Sequence, residues 1–181
     1  MRQKQWMRCV LALLFCAACS ASARLDETEE QSKQRYGEPS KDSEPMLNSF
    51  PIIKGAVHHA YKYQGWMIEC AFVDGKAVKI IYFKLGGKDV KSTIQDDELL
   101  AILAGESGAG KWQMKQKPKN NAPFQLMPGL NEIEFLNSNG NKALLEFGRS
   151  RVVLEAPAAA AFIKARDAAK EEQRKVNIPK F

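Results

Sequence analysis

Apolar and polar residues alternate most regularly in VHHAYKYQGWMIECAFVDGKAVKIIYFK, residues 57 to 84. Gln64-Gly65 and Asp74-Gly75 divide this stretch into three runs. Both dipeptides suit two-residue hairpin turns of the type that needs positive φ at both central positions, so the segment predicts a three-stranded antiparallel meander. Counting outward from the turns places Tyr63, Trp66 and Phe83 in one row, then Tyr61, Ile68 and Ile81, then His59, Cys70 and Lys79, then Val57, Phe72 and Ala77. These rows form the expected core face. The opposite face, with Lys62, Met67 and Tyr82 and then Ala60, Glu69 and Ile80, is mixed.

A second meander is expected in EIEFLNSNGNKALLEFGRSRVVLEA, residues 132 to 156, with turns at Asn139-Gly140 and Gly148-Arg149. Its rows are Phe135, Leu144 and Val153 on one face and Leu136, Ala143 and Leu154 on the other. A short helix precedes each meander. In RLDETEEQSKQRYGEP, Asp26 is the expected N-cap with Glu29 three residues on, and Gly37 and Pro39 stop the helix near Tyr36. In IQDDELLAILAG, Ile94 is placed to staple against Leu99, acidic residues fill the first turn, and Gly105 ends the helix.

Residues 40 to 55 read as a polar, Pro-punctuated connection, and 111 to 121 as a basic extended stretch followed by a loop around Pro123 and Pro128. From Pro157 a strongly helix-forming segment carries little apolar surface, so it is expected to lie peripherally and fray into a tail at 176 to 181. The pattern predicts an α+β fold: short helices packed on antiparallel meanders over residues 24 to 156, then a C-terminal helix and tail over 157 to 181. The order helix, meander, helix, meander hints at two related units. Asp26 lies 70 residues before Asp96 and Asp74 lies 65 before Asn139, although residue identity between the halves is poor.

The N-terminus changes the picture of charge and compartment. Arg2, Lys4 and Arg8 precede the apolar run CVLALLFCAA, and Ala21-Ser22-Ala23 is a small-residue cleavage site, so residues 1 to 23 read as a secretory signal peptide. The run is too short to span a bilayer, and the mature chain is expected to be soluble. Two processing chemistries remain open: cleavage after Ala23, or acylation of Cys19 in CAAC, where Cys16 stands in place of the usual leucine. The second would make a membrane-tethered lipoprotein.

The whole chain has 27 Lys and Arg against 21 Asp and Glu; losing Arg2, Lys4 and Arg8 leaves 24 against 21, lowering the net charge from +6 to +3. Charge therefore gives no support to a nucleic-acid partner. Of the four cysteines, Cys9, Cys16 and Cys19 lie in the signal region. Only Cys70 remains in the mature part, so no intramolecular disulfide is expected there.

Four motifs invite a chemical reading. GESGAGK, residues 105 to 111, fits the phosphate-loop spacing, but that motif needs a strand before the glycines, a helix after them, and a hydroxyl where Trp112 stands. The expected helix comes before it, so the segment is taken as a helix end and a loop, with Trp112 as a core anchor. His59 and Cys70, beside Lys79, are the one candidate for nucleophilic chemistry; the apolar face around them favours a small buried thiol instead. His58 and His59 point to opposite faces of a strand and do not chelate one ion, so no metal site is assigned. Lys111, Lys115, Lys117 and Lys119 beside Trp112 form a basic patch whose commoner role is a solvated edge that resists strand pairing.

The stretch RLDETEEQSKQRYGEP followed by GWMIECAFVDGKAVKIIY resembles a family of exported bacterial proteins marked by an E-T-x-x-Q-x-x-x-R-Y-G-x-P helix and an aromatic-rich hairpin, over about residues 24 to 112. More distantly, the helix ending in G-x-P before a sheet resembles the SmpA/OmlA-type lipoproteins of outer-membrane assembly, which are α+β binding modules. The weak acylation site and the longer second half depart from that pattern. Neither resemblance brings catalytic, cofactor or metal-binding residues. What they imply is a non-enzymatic binding or structural module of the bacterial cell envelope with an envelope protein as partner. The alternatives are an envelope enzyme using Cys70 and His59, and a secreted inhibitor-like protein that binds through a sheet face.

Overall fold

The computed structural model describes residues 24–86, 93–106, 110–115, 132–147 and 150–176. The expected signal segment over residues 1–23, Lys117, Lys119, Pro123, Pro128, the expected turn at Gly148-Arg149 and the residues after Val176 lie outside the described residues. The elements are α1 (Glu29–Tyr36), a 3-10 turn (Lys41–Ser43), α2 (Glu44–Ser49), β1 (Val57–Tyr63), β2 (Trp66–Val73), β3 (Lys76–Lys84), α3 (Asp96–Gly105), β4 (Gln113–Met114), β5 (Glu132–Leu136), β6 (Lys142–Glu146), β7 (Arg151–Glu155) and α4 (Pro157–Val176). The seven strands make one antiparallel sheet in the order β1-β2-β3-β7-β6-β5-β4. The α+β expectation holds. The two meanders are fused edge to edge, the last strand of one against the last strand of the other.

The turns that set this topology behave as their residues dictate. Gln64, Gly65, Asp74 and Gly75 all have positive φ, as the two-residue turn requires. The β1–β2 register places His59 opposite Cys70, Tyr61 opposite Ile68 and Tyr63 opposite Trp66, as expected. Along β3 the expectation fails by one residue beyond Ala77. A bulge makes Val78 an extra residue, so Cys70 faces Ile80 rather than Lys79, Ile68 faces Tyr82 rather than Ile81, and Trp66 faces Lys84 rather than Phe83. The shift reverses the facing of the rest of the strand. Ile80 and Tyr82 enter the core, while Lys79, Ile81 and Phe83 turn to the other face, and no ammonium is buried beside Cys70.

A second one-residue shift occurs between β5 and β6, where Phe135 pairs with Ala143 and Leu136 with Lys142. The loop here has three residues, Ser138-Asn139-Gly140, not two, and Gly140 takes the left-handed conformation at its end (φ 79°). Asn137 organises it: its Oδ1 accepts the backbone N–H groups of Asn139 (3.0 Å) and Asn141 (2.9 Å). Asn137→Ala leaves both donors without an acceptor in a part-buried turn and should lower the unfolding free energy by about 1–3 kcal/mol. Urea denaturation checks this, with Asn137→Asp, which keeps the acceptor, losing much less. The β6–β7 pairing of Leu144 with Val153 and Ala143 with Leu154 is as expected.

One face of the sheet is the main core. Tyr61, Ile68, Cys70, Phe72, Ile80, Tyr82, Phe135, Leu145, Val152 and Leu154 are buried there against Tyr36 of α1 and Leu99, Ile102 and Leu103 of α3. The N-cap of α1 is Thr28, not Asp26: Thr28 Oγ1 accepts from Gln31 N while Gln31 Oε1 accepts from Thr28 N, a reciprocal capping box. Asp26 instead adopts a left-handed conformation (φ 69°) as the chain before the helix pairs with β3 through Asp26 N to Ala77 O and Ala77 N to Glu27 O, both 2.8 Å. Glu98 closes the α3 cap on Gln95 N (2.8 Å) and ties the helix to β3 through Lys84 (2.7 Å).

The second face is covered only in part. Residues 40–55 are not a plain connection: the 3-10 turn and α2 lie there, with Pro45 in the first turn, where a missing N–H costs nothing, and Leu47 buried. Ile53, Ala71, Val78 and Ala159 form a small second core under Phe162 and Ile163 of α4. From Asp167 to Lys175 every residue of α4 is exposed, so the helix projects as its alanine-rich, charged sequence predicts. No helix among the described residues is long and apolar enough to cross a membrane.

Candidate functional site

Between the α2 end of this face and β6 lies a cleft of about 470 Å³ floored by β2, β3, β7 and β6. The antiparallel pairings run its side chains in rows across the strands. One row is Glu69, Ile81, Val153 and Leu144; the next is Phe83, Arg151 and Glu146; a third is Lys79, Glu155 and Lys142. Apolar strips thus alternate with charged ones. Phe50, 80% exposed, and Ile52 stand at the rim.

The charges pair across strands. Arg151 forks onto Glu146, its Nε and Nη2 donating at 2.9 and 2.8 Å, and its guanidinium lies over the Phe83 ring at 5.9 Å from the centroid. Lys79 donates to Glu155 at 2.7 Å, and Lys142 reaches Glu134 at 3.3 Å. Glu69 is the exception. It is 6% exposed, sits between Ala60 and Ile81, and makes no hydrogen bond or ion pair among the described residues. Burial pushes its carboxyl above the usual range, opposed only by Arg151, which is already engaged. An almost buried acceptor with greasy neighbours suits a cationic or N–H-bearing group presented on an apolar stem.

The motifs singled out in the sequence lie elsewhere. His59 and Cys70 are cross-strand neighbours, but on the core face. Cys70 is fully buried and burial pushes its thiol far above the ordinary range, while His59 Nε2 lies 2.9 Å from Glu29 Oε2 and its ring packs on Phe72. His58 turns to the second face, where its Nε2 accepts from Ile53 N at 3.2 Å, and burial lowers its pKa. The two imidazoles do diverge.

Of the phosphate-loop string, Gly105 is the last residue of α3 and the strand β4 follows Trp112. A helix precedes the string and a strand follows it, the reverse of what phosphate binding needs. Trp112 packs against the main core and its Nε1 donates to Leu103 O at 2.9 Å. Lys111 is exposed and Lys115 pairs with Glu134 at 3.1 Å on the β4 edge.

The cleft escapes a reading of the sequence because the bulge at Val78 exchanges the faces of β3, sending Ile81 and Phe83 to a surface expected to hold Ile80 and Tyr82. Its one legible signal is Lys79, an ammonium that the two-residue turn count would bury among aromatics. Comparison of the chain with protein-family models, with curated proteins and with solved structures finds no match.

Proposed function

We propose that this chain is an exported, non-enzymatic binding module of the bacterial cell envelope, and that it holds a partner protein in the cleft over β3, β7 and β6. The observation that carries the reading is Glu69, a residue 6% exposed whose carboxylate faces the cleft and makes no hydrogen bond or ion pair among the described residues, in an otherwise charge-paired cleft whose rim offers exposed Phe50. The occupant with matching chemistry is a segment that presents a lysine or arginine between apolar side chains. Its cation would answer Glu69, and its apolar flanks would cover Ile81, Leu144 and Phe50. The signal sequence and the resemblance to exported proteins support the compartment. The C-A-A-C string keeps a lipid tether through Cys19 open, and neither charge nor motif calls for nucleic acid or a cofactor.

The test is crosslinking in the envelope from a photoreactive side chain at position 50, with Glu172 on the projecting part of α4 as control site. A discrete adduct from position 50 alone is expected, weakened at least about tenfold by Glu69→Gln, since truncating one partner of a buried charge pair raises the dissociation rate. Equal crosslinking from both sites, or an adduct indifferent to Glu69→Gln, would retire the reading. The alternative of thiol chemistry at Cys70 predicts instead a reactive thiol in the native protein.

A further inference from the structure

A second buried carboxylate lies beside α3, the helix that packs on the main core. Glu106, the residue just after α3, is 3% exposed and borders a cavity of about 310 Å³ together with Arg24, Leu25, Asp26, Asn139 and Pro157. Its Oε2 accepts from Leu25 N at 3.1 Å; its Oε1 is buried with no hydrogen-bond partner among the described residues. The charged neighbours offer little help. Asp26 and Glu27 are acidic, Tyr82 and Cys70 are buried behind it, and the Arg24 side chain directs its Nε to Gly105 O at 3.1 Å.

The chain at this point is firmly held. Leu25 is buried, and Asp26 and Glu27 are stitched to β3 through Ala77. The backbone nitrogen of Arg24 is one peptide unit from the Leu25 N–H that Glu106 already binds, hence within about 4 Å of it. In the intact chain that nitrogen is a neutral amide. After cleavage following Ala23 it is an ammonium with three donors and an ordinary pKa near about 8.

We propose that the α-ammonium created at Arg24 by signal cleavage ion-pairs with Glu106 in this cavity, so that processing completes the fold. This rests on the export reading, and it assigns the cavity a ligand, the protein's own new N-terminus. Before cleavage, burial holds the Glu106 carboxyl at about 7. A carboxyl raised in the folded state contributes stability that is fully present below its unfolded value and lost as pH rises through the folded one, so the unprocessed terminus weakens the fold from about pH 5 to pH 8. The ammonium removes that loss by giving the ionised carboxylate a partner.

The experiment exports the full precursor, sequences the N-terminus of the mature protein, and compares it with the same protein acetylated at the α-amine, in urea unfolding at pH 5 and pH 8. The acetylated form should lose more than about tenfold in its folded-to-unfolded ratio between the two pH values, the equivalent of over one pKa unit, and the free form much less. Glu106→Gln should abolish the difference between the two forms. Identical pH profiles for free and acetylated protein, or a difference that survives Glu106→Gln, overturn the proposal and leave export standing. A mature chain beginning at Cys19 overturns it and keeps export by the lipoprotein route; an uncleaved chain overturns both.

Discussion

Replacing Leu154 by alanine should lower the unfolding free energy by about 3 kcal/mol, a large share of the roughly 5–15 kcal/mol expected for a domain of this size. Leu154 is fully buried in β7, between Ile80 of β3 and Ala143 of β6, at the seam where the two meanders meet. Its side chain therefore belongs to both halves of the core. The truncation opens a void that neither half closes by itself, because the strands on each side are fixed by their own ladders. Urea unfolding followed by tryptophan fluorescence measures the loss. Leu136→Ala, at a side chain 38% exposed on β5, should change stability by no more than about 0.5 kcal/mol. If the two variants fall equally, the seam is not where the stability resides.

The second large effect is kinetic. Cys70 should react with a thiol reagent at least about a thousandfold more slowly in the native protein than in urea. It is the only cysteine after residue 23, it has no exposed surface, and its thiol is held protonated by burial and by the nearby carboxylates of Glu27, Glu106 and Glu69. Labelling then waits for opening of β2 and the core packed over it, whose cost approaches that of global unfolding. Native labelling within about tenfold of the unfolded rate would contradict this packing and revive the Cys70/His59 enzyme as the leading alternative.

What the sequence makes legible here is whatever a few neighbouring residues decide. Gln64-Gly65 and Asp74-Gly75 need positive φ and take it, and Gly37 stops α1 where expected, its N–H bonding Lys33 O. The E-T-x-x-Q-x-x-x-R-Y-G-x-P string is legible in hindsight as folding machinery. Thr28 and Gln31 cap α1, Arg35 pairs with Glu27 across the helix start, Tyr36 fills the core, and Gly37 ends the helix. That division of labour leaves little of the motif for ligand chemistry.

What stays hidden depends on a choice between near-equal local options. VKIIYFK is apolar on both parities, so only the sheet decides that Val78 bulges and that Ile80 rather than Ile81 goes inward. Likewise NSNGN accommodates a two-residue or a three-residue loop, and the Asn137 side chain tips it to the longer one. The cleft inherits the first of these, because the Val78 bulge decides which residues of β3 face it. Glu69 needs a tertiary view for the same reason: its isolation follows from Arg151 preferring Glu146, a partner across the next hairpin.

The fusion of the meanders through β3 and β7 has a consequence for biogenesis. Lys84 closes β3 and Arg151 opens β7, so the strand that flanks β3 arrives only after the intervening 66 residues have been delivered. A polypeptide threaded through a translocation pore from its N-terminus would hold Ile80, Ile81 and Tyr82 on an unpaired ribbon edge throughout that interval, and closing so long a loop is slow. Any route that delivers the chain from its N-terminus thus leaves the β3 edge in need of cover until its neighbour emerges.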